Sequence, residues 1–334
     1  MSARILEPMG DAAQWTPSRP DGAPSADLAM VDEQVVVGYG ADGRAARITA
    51  APNAVGHVLR RTIAAVDISG YTELRLSIRA DRRTEPFFLE LRLGSTALPV
   101  DDPANTWHRL LPVRKPQTWE TVRLSLDDLP PTVANGVTQL RLRCLGAPFT
   151  AYLDDITAVL PRMLADADRA LESRLAGITV AGAVATAGVR APGQQVPAAP
   201  ALDIVHFDLR YAPERATEQR LRRDFTTTGA REVSLGDPYD LDYALTPVAA
   251  DRTTQAALLE AALDRLRPYD ELTVDGERLP AELIWIVGRD RIGGAATEVP
   301  VLFYRVGVRR PVVLGTPVLA VRDIRLETEH LETA

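Results

Sequence analysis

The 334-residue sequence contains one cysteine, Cys144, and one lysine, Lys115. A lone cysteine excludes an internal disulfide framework and a cysteine-rich zinc site. The histidines, at 57, 108, 206 and 330, are scattered, and none follows another at the i+4 spacing of a helical metal pair. Aromatic residues are only 5% of the chain. No apolar run approaches the ~20 residues that cross a bilayer as a helix. The longest candidate, Gly177 to Val189, is made mostly of small side chains, so membrane insertion is not expected. The opening MSARILEPMG has no basic-then-apolar leader, and a cytoplasmic protein is expected. Neither sign of charge dominates: 38 basic against 45 acidic residues give −7. Neither half is a basic arm, which excludes bulk nucleic-acid binding through phosphate neutralisation. No G-x-S-x-G, H-E-x-x-H or P-loop occurs, so no nucleophile comes with an evident base and the chain reads as a non-enzyme.

The first half is written in strands. Leu74, Leu76 and Ile78 alternate with Arg75 and Ser77, and Leu89, Leu91 and Leu93 with Glu90 and Arg92. Val122, Leu124 and Leu126 alternate with Arg123 and Ser125, and Leu140, Leu142 and Cys144 with Arg141 and Arg143. A period of two with one apolar face is the signature of a half-buried antiparallel strand. Turn residues punctuate these runs, as at Ser69-Gly70, Gly94-Ser95 and Asn135-Gly136. Residues 1–160 therefore read as an all-β sandwich.

The pattern changes near Pro161. Leu164, Ala167, Leu171 and Leu175 have helical spacing, and Gly177 ends the run. Residues 179–200, rich in Ala, Gly, Val and Pro, read as a mobile segment. Alternation returns at Val205 to Tyr211 and at Leu241 to Leu245. Asp251 caps a second helix with Leu259, Ala262, Leu263 and Leu266 on its apolar face, stopped by Pro268. Leu283 to Val287, Val301 to Val308 and Val318 to Leu326 read as later strands. Residues 161–334 thus form an α+β domain, a mixed sheet with two principal helices.

Several residues carry candidate chemistry. Gly38-Tyr-Gly40-Ala-Asp-Gly43 fits G-x-G-x-x-G, but no helix follows it in a strand-rich half, so it reads as a turn. His206 with Asp208, and Asp240 with Asp242, share strand faces; convergent folding would make of them an acid–base or metal group. Otherwise they are the polar outer faces of half-buried strands. Asp155, beside Asp154 at the end of a strand, pairs with Glu7 or Asp11 as candidate oxygen ligands for a structural calcium. Trp107 and Trp119, with Tyr71, are candidates for stacking on sugar rings, against the alternative of partial burial in the core. The pairs Arg60-Arg61, Arg222-Arg223 and Arg309-Arg310 can meet carboxylates across an interface.

Two families are resembled, one per half. The segments Asp67-Ile-Ser-Gly-Tyr71-Thr-Glu-Leu-Arg-Leu, Pro86-Phe-Phe-Leu-Glu-Leu-Arg-Leu-Gly94, Trp119 to Asp128 and Tyr152-Leu-Asp-Asp-Ile156 resemble jelly-roll modules of the galactose-binding and carbohydrate-binding type. The second half resembles the cap, or tail-terminator, family of contractile injection systems, the phage-tail-like particles of bacteria. The matching residues are Met163 to Glu172, Pro200-Ala-Leu-Asp-Ile-Val-His-Phe-Asp-Leu-Arg210, Tyr239 to Pro247, Leu263-Asp-Arg-Leu-Arg267 and Pro300 to Pro311. In that family the cap domain usually begins the chain, whereas here a jelly roll precedes it.

These resemblances imply a structural protein with no cofactor beyond a structural calcium. It would close the inner tube and sheath of a particle as a ring, most simply a hexamer, and carry a decorating jelly roll. Phe207, Arg220, Arg222 and Arg223 are then the interface candidates. Its partners are copies of itself, tube and sheath proteins and, through the jelly roll, a glycan, in a particle assembled in the cytoplasm and released from it. The alternative is a soluble carbohydrate-binding protein whose second domain is a carrier. A third reading is a hydrolase using Asp240, Asp242 or His206; it requires a pocket of convergent polar groups.

Overall fold

A computed structural model describes residues 3–34, 44–84, 86–191, 194–217, 221–227, 229–234, 236–275, 277–284 and 301–310. The chain falls into two compact units. The first comprises the described residues up to 160 together with Leu221–Ser234; the second comprises those from 161 to 217 and from 236 to 310.

The first unit carries β1 (Ala3–Glu7), β2 (Thr16–Ser18), β3 (Leu28–Gln34), β4 (Arg44–Ala50), β5 (Val58–Val66) and β6 (Glu73–Ala80). They are followed by β7 (Leu89–Ser95), β8 (Arg109–Leu110), β9 (Glu120–Ser125), the one-turn helix α1 (Pro131–Ala134), β10 (Val137–Cys144) and β11 (Phe149–Val159). One sheet runs β3-β4-β11-β6-β9, with β1 also on β11. The alternation seen in the sequence is the inside–outside pattern of this sandwich: Leu74, Leu76 and Ile78 of β6 face Leu89, Leu91 and Leu93 of β7 in one continuous core. Each such fully buried side chain contributes about 1.5–3 kcal/mol relative to its exposed state. One ion pair crosses the core: Arg61 of β5 lies 2.7 Å from Glu7 of β1, whose side chain is buried.

The second unit begins with α2 (Met163–Leu175), β12 (Thr179–Val180), β13 (Ala183–Val184), β14 (Thr186–Val189) and β15 (Ala201–Tyr211). The hairpin β16 (Leu221–Thr226) and β17 (Gly229–Ser234) then returns to the first unit. Next come β18 (Pro238–Val248), α3 (Arg252–Arg265), β19 (Tyr269–Val274), β20 (Glu277–Leu283) and β21 (Leu302–Arg309). The sheet of the second unit runs β14-β15-β18-β21-β20-β19, parallel only between β14 and β15. Both longer helices cover one face of it. Ala167, Leu171 and Leu175 of α2, with Leu258 and Ala262 of α3, pack on Leu241, Tyr243, Tyr304 and Val306. Asp251 caps α3 as expected, its carboxylate accepting the Thr254 N–H at 2.9 Å. Leu164 and Leu263, expected on the apolar faces, are exposed, and Leu258 takes a core position instead.

Two differences from the sequence reading bear on function. Residues 179–189, read as part of a mobile segment, form strands. Their small side chains let β14 lie against β15, and the Glu172 carboxylate accepts the Val189 N–H at 2.7 Å. The hairpin β16–β17, which the sequence reading left within the second half, completes a seven-stranded sheet of the sandwich in the order β17-β16-β8-β7-β10-β5-β2. Phe225 stands opposite Leu110 and its ring lies 4.9 Å from Phe87. Asp224, 1% exposed, accepts the Ser125 N–H at 2.5 Å and lies 4.0 Å from the Arg109 guanidinium. The glycine-rich stretch 38–43 and Val318 to Leu326 lie outside the described residues, as does most of Leu283 to Val287. Among the described residues no helix is long and apolar enough to cross a membrane.

Candidate functional site

The outer face of the seven-stranded sheet is built from the polar halves of alternating strands. Arg141 of β10 stands directly between Arg60 of β5 and Arg92 of β7, and Arg143 stands opposite Glu90. Gly94 sets what lies above them: a Cβ there would come within 2.5 Å of the Val100 nitrogen, so only glycine lets the β7–β8 loop fold back onto the sheet. That loop delivers Asp101. Its Oδ1 lies 2.5 Å from Arg141 Nη1 and its Oδ2 3.1 Å from Arg60 Nη2. Arg141 also holds Glu90 at 3.0 Å. Burial pushes the Asp101 carboxyl up, and the two guanidiniums outweigh it, leaving it below its usual value. Arg92 is held differently: its Nη1 donates to the Val100 carbonyl at 3.2 Å, and its Nε is buried without a hydrogen-bond partner. Burial first, and Arg141 next, lower its pKa. Sequence reasoning saw these arginines one strand at a time; only the register shows them as a row.

The aromatic candidates separate. Trp107 is 1% exposed in the core and carries the buried Arg109 guanidinium 5.1 Å from its ring centroid, so it has no face for a sugar. Arg109 in turn donates to the Ser125 and His108 carbonyls and to Asp128. Tyr71 is half-buried and packs against the core. Trp119 is also half-buried and meets Tyr152 edge to face, with ring centroids 6.4 Å apart. Arg79 lies 5.2 Å over the Tyr152 ring and reaches Gln117 at 3.4 Å. Tyr152, which was not among the stacking candidates, therefore joins Trp119 on the outer face of the other sheet.

The calcium candidates are not assembled into a site. Glu7 stands opposite Ile156, next to Asp155, but its carboxylate turns inward to Arg61 and to the Met9 N–H. Among the described residues no group of three or more His, Cys, Asp or Glu comes together to hold a metal. Cys144 is buried, and burial pushes its thiol up to about 11, so it is not a nucleophile.

In the second unit the sheet divides the catalytic candidates. His206 lies on the helix side, its ring 5.5 Å from that of Tyr243, whose hydroxyl donates to Asp168 at 2.8 Å. Asp208, Asp240 and Asp242 lie on the opposite side, where Asp208 pairs with Asp242 and Arg210 with Asp240. Arg305 of β21 grips Asp242 through two contacts, at 2.7 and 3.1 Å, and also reaches Asp240 at 3.5 Å and Glu282 at 3.4 Å. Arg210 and Arg215 approach Asp240 at 3.4 and 3.3 Å. Gly307, opposite Asp240, leaves room for the Arg215 guanidinium. Burial, then the carboxylates of Asp208, Asp240 and Glu282, push Asp242 up to about 6 against the pull of Arg210. Arg215 and Glu282 also line an open depression of about 530 Å³ with Tyr269, Asp270, Glu271 and Pro280. Its carboxylates are paired to arginines: Asp270 to Arg174, Glu271 to Arg278 and Glu282 to Arg305. The arrangement on this side of the sheet is a lattice of ion pairs, with Arg305 and Arg215 among its arginines.

The interface candidates also part company. Phe207 sits at a bulge in β15, half-buried, its ring 5.8 Å from Phe303. Arg222 and Arg223 lie on β16, in the sheet of the sandwich, opposite Val233 and Glu232. Arg220 lies outside the described residues.

No protein-family model matches the chain, and no curated protein is a significant match. Solved structures do match. The family 11 carbohydrate-binding module of a cellulosomal cellulase from Clostridium thermocellum is 12% identical with a TM-score of 0.33, over 48% of this chain and 96% of the module. The same family's module in complex with a β-1,3-1,4-mixed-linked tetrasaccharide gives 12% and 0.31 over 48% and 96%. A family 30 carbohydrate-binding module from the same organism gives 15% and 0.30 over 43% and 90%. The chain is thus similar over less than half its length to jelly-roll carbohydrate-binding modules. Nothing in these comparisons supports the cap resemblance.

Proposed function

We propose that the chain is a non-catalytic binding protein whose sandwich recognises a glycan and whose second unit carries it onto a protein partner. The observation that supports the glycan reading is the half-exposed Trp119 beside Tyr152, with Arg79 and Gln117 at its rim. Aromatic faces offer the apolar stacking that sugar rings take, and the neighbouring amide and guanidinium supply hydroxyl partners. The test is a glycan array on the full chain, followed by calorimetry of the best neutral oligosaccharide with wild type and Trp119→Ala. The variant is expected to bind about tenfold more weakly or worse. An array without hits, or equal affinities, removes the reading.

A second reading is the cap of a contractile injection particle, a ring on its tube and sheath. The edge of β15 favours it. β14 pairs with residues 201–204 only, and among the described residues no strand pairs with 205–211 on that side. Leu209 and Tyr211, 44% and 50% exposed, lie along this stretch. A neighbouring copy adding a strand there would satisfy backbone groups and cover both side chains. Within the single chain, the Asp208 carboxylate blunts the edge by accepting the Leu209 N–H at 2.9 Å. The native mass of the purified chain is then expected near six times 36.3 kDa, and Leu209→Lys reduces it to that of one chain. A wild-type monomer at micromolar concentration counts against the ring.

A further inference from the structure

We infer that the outer face of the seven-stranded sheet binds a carboxylate-bearing polysaccharide at Arg92 and Arg143, beside the Asp101 bridge between Arg60 and Arg141. The choice of a polysaccharide rests on the glycan reading of the sandwich. The site is a different one, on the sheet opposite Trp119.

The argument starts from charge. Like charges directly opposite one another on paired strands destabilise a sheet. This face nevertheless sets Arg60, Arg141 and Arg92 side by side across β5, β10 and β7, with Arg143 one step along β10. It does so in a chain whose net charge is −7. The face supplies two carboxylates in return, Glu90 and Asp101, and both are engaged by Arg141. Among the described residues no carboxylate lies at ion-pair distance from Arg92 or Arg143. Arg143 is exposed, and Arg92 has a backbone carbonyl as its hydrogen-bond partner.

Asp101 shows what the row accepts. One carboxylate bridges two neighbouring guanidiniums, an oxygen to each. A ligand carboxylate on Arg92 and Arg143 would repeat on one side of Arg141 what Asp101 does on the other. Such charge-assisted contacts are among the stronger hydrogen bonds. A uronic-acid chain, which carries carboxylates on its sugar residues, supplies such a ligand carboxylate. A neutral glycan leaves Arg92 and Arg143 without a carboxylate.

The experiment is calorimetry of the full chain with an oligogalacturonate and a neutral cello-oligosaccharide of matched length, at low and at physiological salt. The charged oligomer is expected to bind, and to weaken as salt rises. Arg143→Gln and Arg92→Gln are each expected to weaken it about tenfold, while Trp119→Ala leaves it unchanged. Arg143 is exposed, so its variant should melt like wild type and keeps the test valid if Arg92→Gln misfolds. The inference is overturned if the charged oligomer binds no better than the neutral one, or if neither arginine variant weakens it. It is equally overturned if single-stranded DNA of matched charge binds as tightly, since the face is then a generic anion surface. Neutral binding lost in Trp119→Ala, with no charged binding, leaves the glycan reading standing and this inference fallen.

Discussion

Arg305→Ala is expected to destabilise the second unit by roughly 3–5 kcal/mol at pH 7, the cost of leaving buried charges without their partner. Asp240 and Asp242 are 2% and 4% exposed, and Arg305 touches both as well as Glu282. Asp240 keeps Arg210 and Arg215, so most of the loss falls on Asp242. The loss should depend on pH in a definite direction. Asp242 titrates at about 6 in the folded chain, above the ordinary carboxylate value near 3.8. Between those values the folded state holds a proton that the unfolded state has released. Stability therefore rises as pH falls from about 6 towards 3.8, is lost as pH rises back through that window, and levels off above it. Removing Arg305 takes away a cation and pushes Asp242 up further, so the variant loses less at pH 5 than at pH 7. Urea unfolding at the two pH values checks this, and equal losses at both would contradict the account.

The second large effect belongs to the sandwich. Asp224→Ala is expected to cost about 3 kcal/mol, because it orphans the buried Ser125 N–H and removes a carboxylate facing the fully buried Arg109. The double variant with Arg109→Met should recover part of this, since replacing both members of a buried pair is far less costly than removing one. Thermal unfolding of the two single variants and the double one measures the coupling. If the two losses simply add, Asp224 and Arg109 do not act together.

The strands of the sandwich were legible because one face of each is apolar: β6, β7, β9 and β10 each alternate leucine, isoleucine or valine with a charged or polar residue. The N-cap of α3 was legible because Asp251 sits where orphan N–H groups need an acceptor. The hairpin was not. Its partner β8 is two residues long, too short to show a period, and lies more than a hundred residues away in the chain. Trp107 was read as a sugar-stacking candidate against the alternative of core burial, and it is buried. It lies in the core beside the buried Arg109, and no local pattern announces a buried arginine. Asp240 and Asp242 were placed on one face from sequence, but their partner Arg305 comes from another strand. The arginine row was likewise visible strand by strand and invisible as a row, because register is a property of pairs.

The discontinuity of the sandwich has a consequence for synthesis. A ribosome delivers β8 long before β16 and β17, so the nascent sandwich must wait with one sheet unfinished until residue 234 has emerged. During that interval Phe87 lacks the Phe225 ring, Arg109 lacks Asp224, and the β8 edge is open to any passing strand. A product terminated early, at the apparent boundary near residue 160, would display that open edge permanently. Among the described residues the hairpin is the last piece of the first unit to be made, so completing this sheet requires synthesis well into the second half of the chain.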